Sequence, residues 1–146
     1  MKLVNELLHY PDFIPEKQVF MFTGNRVIGQ HGLIMGGGNA LACREAYPQL
    51  PRRIAKMKGV KDASNLFLDQ NDGLVGCMFT KDHYKDPSKL DSVIEAINDL
   101  KEIAEDKGKA FTFHLPYPAI GLGGIYREQL EPTMETLPDN VIVYVV

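Results

Sequence analysis

Cysteine is scarce, no apolar run is long, and basic charge is not in excess, and each of these absences removes a class of function. Cys43 and Cys77 have neither C-x-x-C spacing nor a second pair nearby, which argues against structural zinc and a disulfide framework and leaves two reduced core thiols. Apolar stretches are no longer than a strand, so no membrane partner is expected, and the Met1-Lys2-Leu3 start has no signal-peptide pattern. A cytoplasmic chain is the expectation. With a net charge of -3 and a pI of about 5.8, overall electrostatics would not hold long nucleic acid, although a local basic patch is compatible with these values. No Ser-His-Asp arrangement, carboxylate pair or metal-ligand spacing stands out, and no metal is expected.

What is present suits one ordinary domain over residues 1–146, expected as a monomer. The hydrophobic share of 45% and the charged share of 24% are those of a globular protein. A chain of this length buries about 70% of its unfolded surface around one core. No internal repeat or low-complexity segment interrupts it.

The most informative stretch is Met35-Gly36-Gly37-Gly38-Asn39-Ala40, followed by Leu41-Ala42-Cys43-Arg44-Glu45-Ala46-Tyr47-Pro48. Three successive glycines let the backbone come close to another molecule, and Asn39 is a good N-cap for a helix starting at Ala40. The free N–H groups and the helix dipole together make a seat for a phosphate or another anion. No Gly-Lys-Ser/Thr follows, so this is not a P-loop, and the G-x-G-x-x-G spacing is missing too. By itself, such a turn is equally consistent with a plain tight connection.

Along the chain, Leu3 to Leu8 fits a helical turn or a strand, and Pro11 and Pro15 mark a loop. Val19 to Thr23 reads as a buried strand ended by Gly24-Asn25. Residues 24–38 form a long crossing of the kind that is often functional. A short helix from Leu50-Pro51 leads into a run containing Arg52, Arg53, Lys56, Lys58 and Lys61, either a solvated face or a contact for phosphates. Asn65 to Asp69 and Leu74 to Thr80 pair as a hairpin through Asp72-Gly73. Gln70 to Gly73 lacks the spacing and closing glutamate of a calcium loop.

Ser88 and Asp91 have capping-box spacing ahead of a stripe of Leu90, Val93, Ile94, Ile97, Leu100, Ile103 and Ala104, ended by Gly108. Ala110 to Leu115 is a strand, followed by a second glycine-rich turn, Gly121-Leu122-Gly123-Gly124. Tyr126, Leu130, Met134 and Leu137 have helical spacing that Pro132 must break or reopen. Val141 to Val146 is a closing buried strand. Alternating strands and helices give an α/β fold: a three-layer α/β/α sandwich on a mixed, largely parallel sheet. Ligands on such sheets sit beyond the carboxyl ends of the strands, where the loops at Asn25, Lys81 and Gly121 to Gly124 fall.

These motifs resemble macrodomains, the ADP-ribose-binding fold, and most of all the subgroup of terminal ADP-ribose protein glycohydrolases and the antitoxins that remove ADP-ribose from DNA. The matching segments are Met35 to Ala42 through Tyr47-Pro48, Phe79-Thr80-Lys81-Asp82-His83-Tyr84, and Pro118 to Ile125. The resemblance implies ADP-ribose as ligand or product and no other cofactor. It implies binding by Met35, Gly36, Gly37, Gly38, Asn39 and Ala40 and by Ile120, Gly121, Leu122, Gly123, Gly124, Ile125 and Tyr126. Tyr126 would lie near the distal ribose. Lys81 and Asn25 fall on the subgroup's functional lysine and asparagine. The departures are a long interval from Asn25 to Met35, containing His31, and a short second turn without the hydrolase aspartate, Glu128 being the nearest downstream acid.

Cleaving ADP-ribose from an acceptor builds positive charge on the anomeric carbon, so a site must fix the ribose and supply a nucleophile or a stabilising charge. Lysine serves as nucleophile only when unprotonated; burial favours that state and a nearby diphosphate opposes it. His83 and His114 are alternative acid–base groups, or structural ones. The expected activity is ADP-ribosyl hydrolysis on a modified protein or nucleic acid. The alternatives are an ADP-ribose-1''-phosphate phosphatase and a non-catalytic ADP-ribose reader.

Overall fold

A computed structural model describes all residues, 1–146. In chain order its elements are β1 (Lys2–Val4), β2 (Gln18–Gly24), β3 (Ile28–Gly29), β4 (Gly32–Leu33), α1 (Gly38–Ala46), α2 (Leu50–Ala55), β5 (Asn65–Gln70), β6 (Gly73–Phe79), α3 (Leu90–Glu105), β7 (Thr112–Pro116), α4 (Arg127–Met134) and β8 (Val141–Tyr144). Six strands form one sheet in the order β1-β8-β7-β2-β6-β5. Its pairings are parallel except β5 with β6, so the sheet is mixed and largely parallel, as the alternation of elements implies.

The central strand β2 shows why the fold has three layers. Successive side chains of a strand point to opposite faces. Val19 and Met21 enter one core with Val93, Ile97 and Leu100 of α3 and Leu130 and Met134 of α4. Phe22 enters the other with Cys43, Leu50 and Ile54 from α1 and α2. Each fully buried Leu, Ile or Val on these faces stabilises by roughly 1.5–3 kcal/mol relative to exposure. The cysteines are core thiols: both are free and buried, and burial pushes both thiol pKa values up.

Several local expectations are settled or corrected. The N-terminal segment opens as a strand beside β8, because Lys2 to Val4 take register with Ile142 to Tyr144. The 24–38 crossing contains the small antiparallel hairpin β3–β4. The β5–β6 turn is centred one residue earlier, on Asn71-Asp72, with Asn71 at a φ of 54° and Gly73 already paired to Gln70. Neither proposed cap forms: α1 is capped by Gly37 and α3 by Lys89, with no side-chain bond at either. Pro132 lies inside α4 without ending it; its ring faces solvent, and Glu135 N–H still donates to Glu131 O at 2.9 Å.

Candidate functional site

The carboxyl ends of β2, β6, β7 and β8 open into a cleft of about 530 Å³, a size common for small-ligand sites. Thr23 and Gly24 close one strand, Thr80 the next, Pro116 and Tyr117 the third, and Tyr144 the fourth. The two glycine-rich turns converge across this opening. An ideal Cβ on Gly37 would sit 3.2 Å from Leu122 Cδ1, and one on Gly38 3.6 Å from it. Leu122 thus reaches from the second turn to the first while remaining 78% exposed.

The first turn leads into α1, whose opening N–H groups have no side-chain acceptor. Asn39 is diverted from capping by a tertiary bond: its Oδ1 accepts the Thr23 N–H at 2.7 Å, and its Nδ2 donates to Thr23 Oγ1 at 3.2 Å. That bond ties the helix start to the end of β2. The second turn is held from below. Ser88 N–H donates to Gly123 O at 2.9 Å and Ile125 N–H to Ala119 O at 3.0 Å. Ala119 takes a φ of 64°, a costly conformation for a residue with a Cβ and one that recurs at functional sites. Ser88 Oγ, on the cleft wall, is buried and has no hydrogen-bond partner.

Lys81 lines the cleft and is the only charged side chain to do so. Its Nζ makes one long contact, 3.4 Å to Tyr84 O. No Asp or Glu side chain lines the walls. At the far end, Tyr144 is locked by a polar chain. His114 Nδ1 lies 2.8 Å from Tyr144 Oη and His114 Nε2 lies 2.7 Å from Gln18 Oε1, so Nε2 carries the proton and Tyr144 donates to Nδ1. Burial pushes the His114 pKa down to about 4, which keeps the ring neutral near pH 7.

Of the residues singled out from sequence, Gly37, Gly38, Asn39, Ile120, Gly121, Leu122, Gly123 and Lys81 line the cleft. Met35, Gly36, Ala40, Gly124, Ile125 and Tyr126 do not. Met35, Ala40 and Ile125 are buried in the two cores, and Tyr126 is 75% exposed at the start of α4. Asn25 is also outside: it is 6% exposed, its Nδ2 donates to Ile34 O at 3.0 Å, and its Oδ1 accepts the Val27 N–H at 2.8 Å. Its carboxamide braces the crossing. His83 is likewise local, its Nδ1 accepting the Lys85 N–H at 3.1 Å. Sequence reasoning missed Leu7, Thr23, Ser88, Tyr117 and Tyr144; the carboxyl-end rule would have pointed to those next to strand ends.

A mixed sheet between two helical layers, with side-chain-poor turns over its carboxyl edge, defines a class of α/β sandwich whose ligands sit at that edge. No protein-family model matches the chain, and no curated protein is similar in sequence. Solved structures are similar in shape. DarTG of Thermosipho africanus, solved in complex with ADP-ribose, superposes with a TM-score of 0.73 at 19% identity over 89% of this chain. This chain spans only 38% of that one. The DarG macrodomain of Thermus aquaticus gives 0.74 at 22% identity, covering 99% of this chain and 95% of its own. The DarG macrodomain of Mycobacterium tuberculosis gives 0.70 at 22%, covering 98% of each. The chain has the macrodomain fold.

Proposed function

We propose that this chain binds ADP-ribose in the cleft between its glycine-rich turns and hydrolyses the bond that joins ADP-ribose to a modified protein or nucleic acid. The observation that carries this reading is the convergence of both turns on a cleft whose single charged side chain is Lys81. Uncapped N–H groups at the start of α1 suit the diphosphate, and Ser88 Oγ offers a buried donor that has no partner in the protein. In this reading Lys81 acts on the distal ribose, as a nucleophile when neutral or as a stabilising charge when protonated. The Thermosipho complex supports the choice of ligand by analogy of fold.

A second reading, an ADP-ribose reader without turnover, is favoured by one feature: no Asp or Glu side chain lines the cleft to serve as general base. One experiment separates the two. ADP-ribose should raise the thermal midpoint of both wild type and Lys81→Ala, while release of ADP-ribose from modified protein or DNA falls by at least about a hundredfold in the variant. Binding without release in the wild type establishes the reader. Equal release by both proteins removes Lys81 from the chemistry, and phosphate release from ADP-ribose-1''-phosphate that is insensitive to Lys81 establishes the phosphatase.

A further inference from the structure

On the outer side of the Met35-Gly36 stretch lies a second concavity, about 560 Å³, that the nucleotide reading does not use. Its walls come from three places: the β3–β4 turn with Gln30 and His31, the last turn of α1 with Arg44, and the start of α2 with Gln49 and Arg52. Arginine usage sets this groove apart. Arg26 donates to Val60 O and Ala63 O and pairs with Asp82; Arg53 donates to Gln70 Oε1 and Asp69 O; Arg127 pairs with Glu131. Arg44 and Arg52 are exposed, and neither has a hydrogen-bond or ion-pair partner in the chain.

No Asp or Glu lines the groove, so Arg44 of α1 and Arg52 of α2 line it with no acidic side chain there to neutralise them. Mutual repulsion of the two charges works against the small gain each makes in the last turn of its own helix, so folding alone gives little reason for the arrangement. It does suit a tetrahedral oxyanion, which guanidinium forks bind through paired, charge-assisted hydrogen bonds. The flanking amides of Gln30 and Gln49 supply further donors. We propose that the groove is a second anion site, separate from the cleft, that binds a phosphate group through Arg44 and Arg52. The phosphate is either free or part of the phosphodiester backbone of a nucleic-acid strand.

The test is an NMR titration of the protein with saturating ADP-ribose present. One arm uses inorganic phosphate and the other an unmodified single-stranded oligonucleotide, with sodium chloride of equal ionic strength as the reference. The Arg44 and Arg52 Nε–H signals and the Gln30 and Gln49 amides should move with at least one phosphate probe and not with chloride. Arg44→Gln and Arg52→Gln should each weaken that response about tenfold, with the thermal midpoint and ADP-ribose affinity unchanged. A response to the oligonucleotide alone assigns the site to a phosphodiester; a response to both assigns it to phosphate in general. Equal movement with chloride, or an undiminished response in the double variant, overturns the proposal. Signals from Lys81 and Gly121 report the cleft independently, and the titration can be repeated without nucleotide, so failure of the ADP-ribose reading is distinguishable from failure here.

Discussion

The two glycine-rich turns have similar composition, yet Gly37 in the first and Gly123 in the second answer to different physical demands. In the first, Gly37 is extended, with φ at -154°, a conformation open to any residue, and a Cβ there would meet only the flexible end of Leu122. In the second, a Cβ on Gly123 would lie 2.5 Å from Ala119 O and 2.6 Å from Ser88 Oγ. Gly37 leaves space on the cleft side, toward whatever enters. Gly123 is needed by the protein's own packing, because the turn folds back onto Ala119 and onto the segment before α3. A glycine can therefore mark a ligand approach or a backbone crossing, and only the surrounding atoms tell which.

Gly123→Ala should produce the largest effect. The methyl group must displace backbone at Ala119, so the turn shifts and its bond from Ser88 N–H to Gly123 O lengthens. Overpacking of this kind costs about 1–3 kcal/mol. Chemical denaturation should show that loss, and calorimetry should show ADP-ribose affinity falling by at least about a hundredfold. Unchanged stability would mean that the turn relaxes freely and that the contrast between the two turns is false.

Sequence reading captured those parts of this molecule that are determined locally. The short apolar run Val19 to Thr23, ended by Gly24-Asn25, and the apolar stripe of Leu90 to Ala104 carry their own signals, and both elements form where those signals put them. What escaped was decided by tertiary partners. Asn39 has the chemistry of an N-cap, but Thr23, sixteen positions away in the chain, competes for its carboxamide. Asn25 lies next to a strand end, the position expected of a ligand contact, yet Ile34 and Val27 engage both ends of its side chain. The β3–β4 hairpin has two-residue strands, too short to show alternation. The far end of the cleft depends on Leu7, which lies after β1 in the segment left open between helix and strand, and on Tyr144, whose hydroxyl direction is set by His114 on the neighbouring strand. Lys81 and the second turn were legible because they follow strands of the main sheet, whose polarity puts them at one rim, whereas the first turn was legible from its own run of glycines.

A smaller effect is expected from Gly37→Ala, which probes the other side of the comparison. Its backbone already suits alanine, and the single neighbour, Leu122 Cδ1, is the tip of an exposed side chain that can turn away. Stability should stay within about 0.5 kcal/mol of wild type, the usual range for a surface change. If the turn must approach a diphosphate closely, ADP-ribose affinity should fall about tenfold all the same. Loss of stability with unchanged affinity would reverse the roles assigned to Gly37 and Gly123.

The smallest effect concerns the contact between the turns. Leu122 spans from one to the other but buries little of itself, so it contributes little to folding and can act as a swinging bar across the cleft. A ligand that enters must push it aside and then gains apolar contact with it once it returns. Leu122→Ala should therefore raise both the association and the dissociation rates of a fluorescent ADP-ribose analogue, the latter more, so that Kd rises only about threefold. Stopped-flow mixing measures the two rates separately. An unchanged association rate would show that the two turns are already parted when ligand arrives, and that their contact across Leu122 does not limit entry.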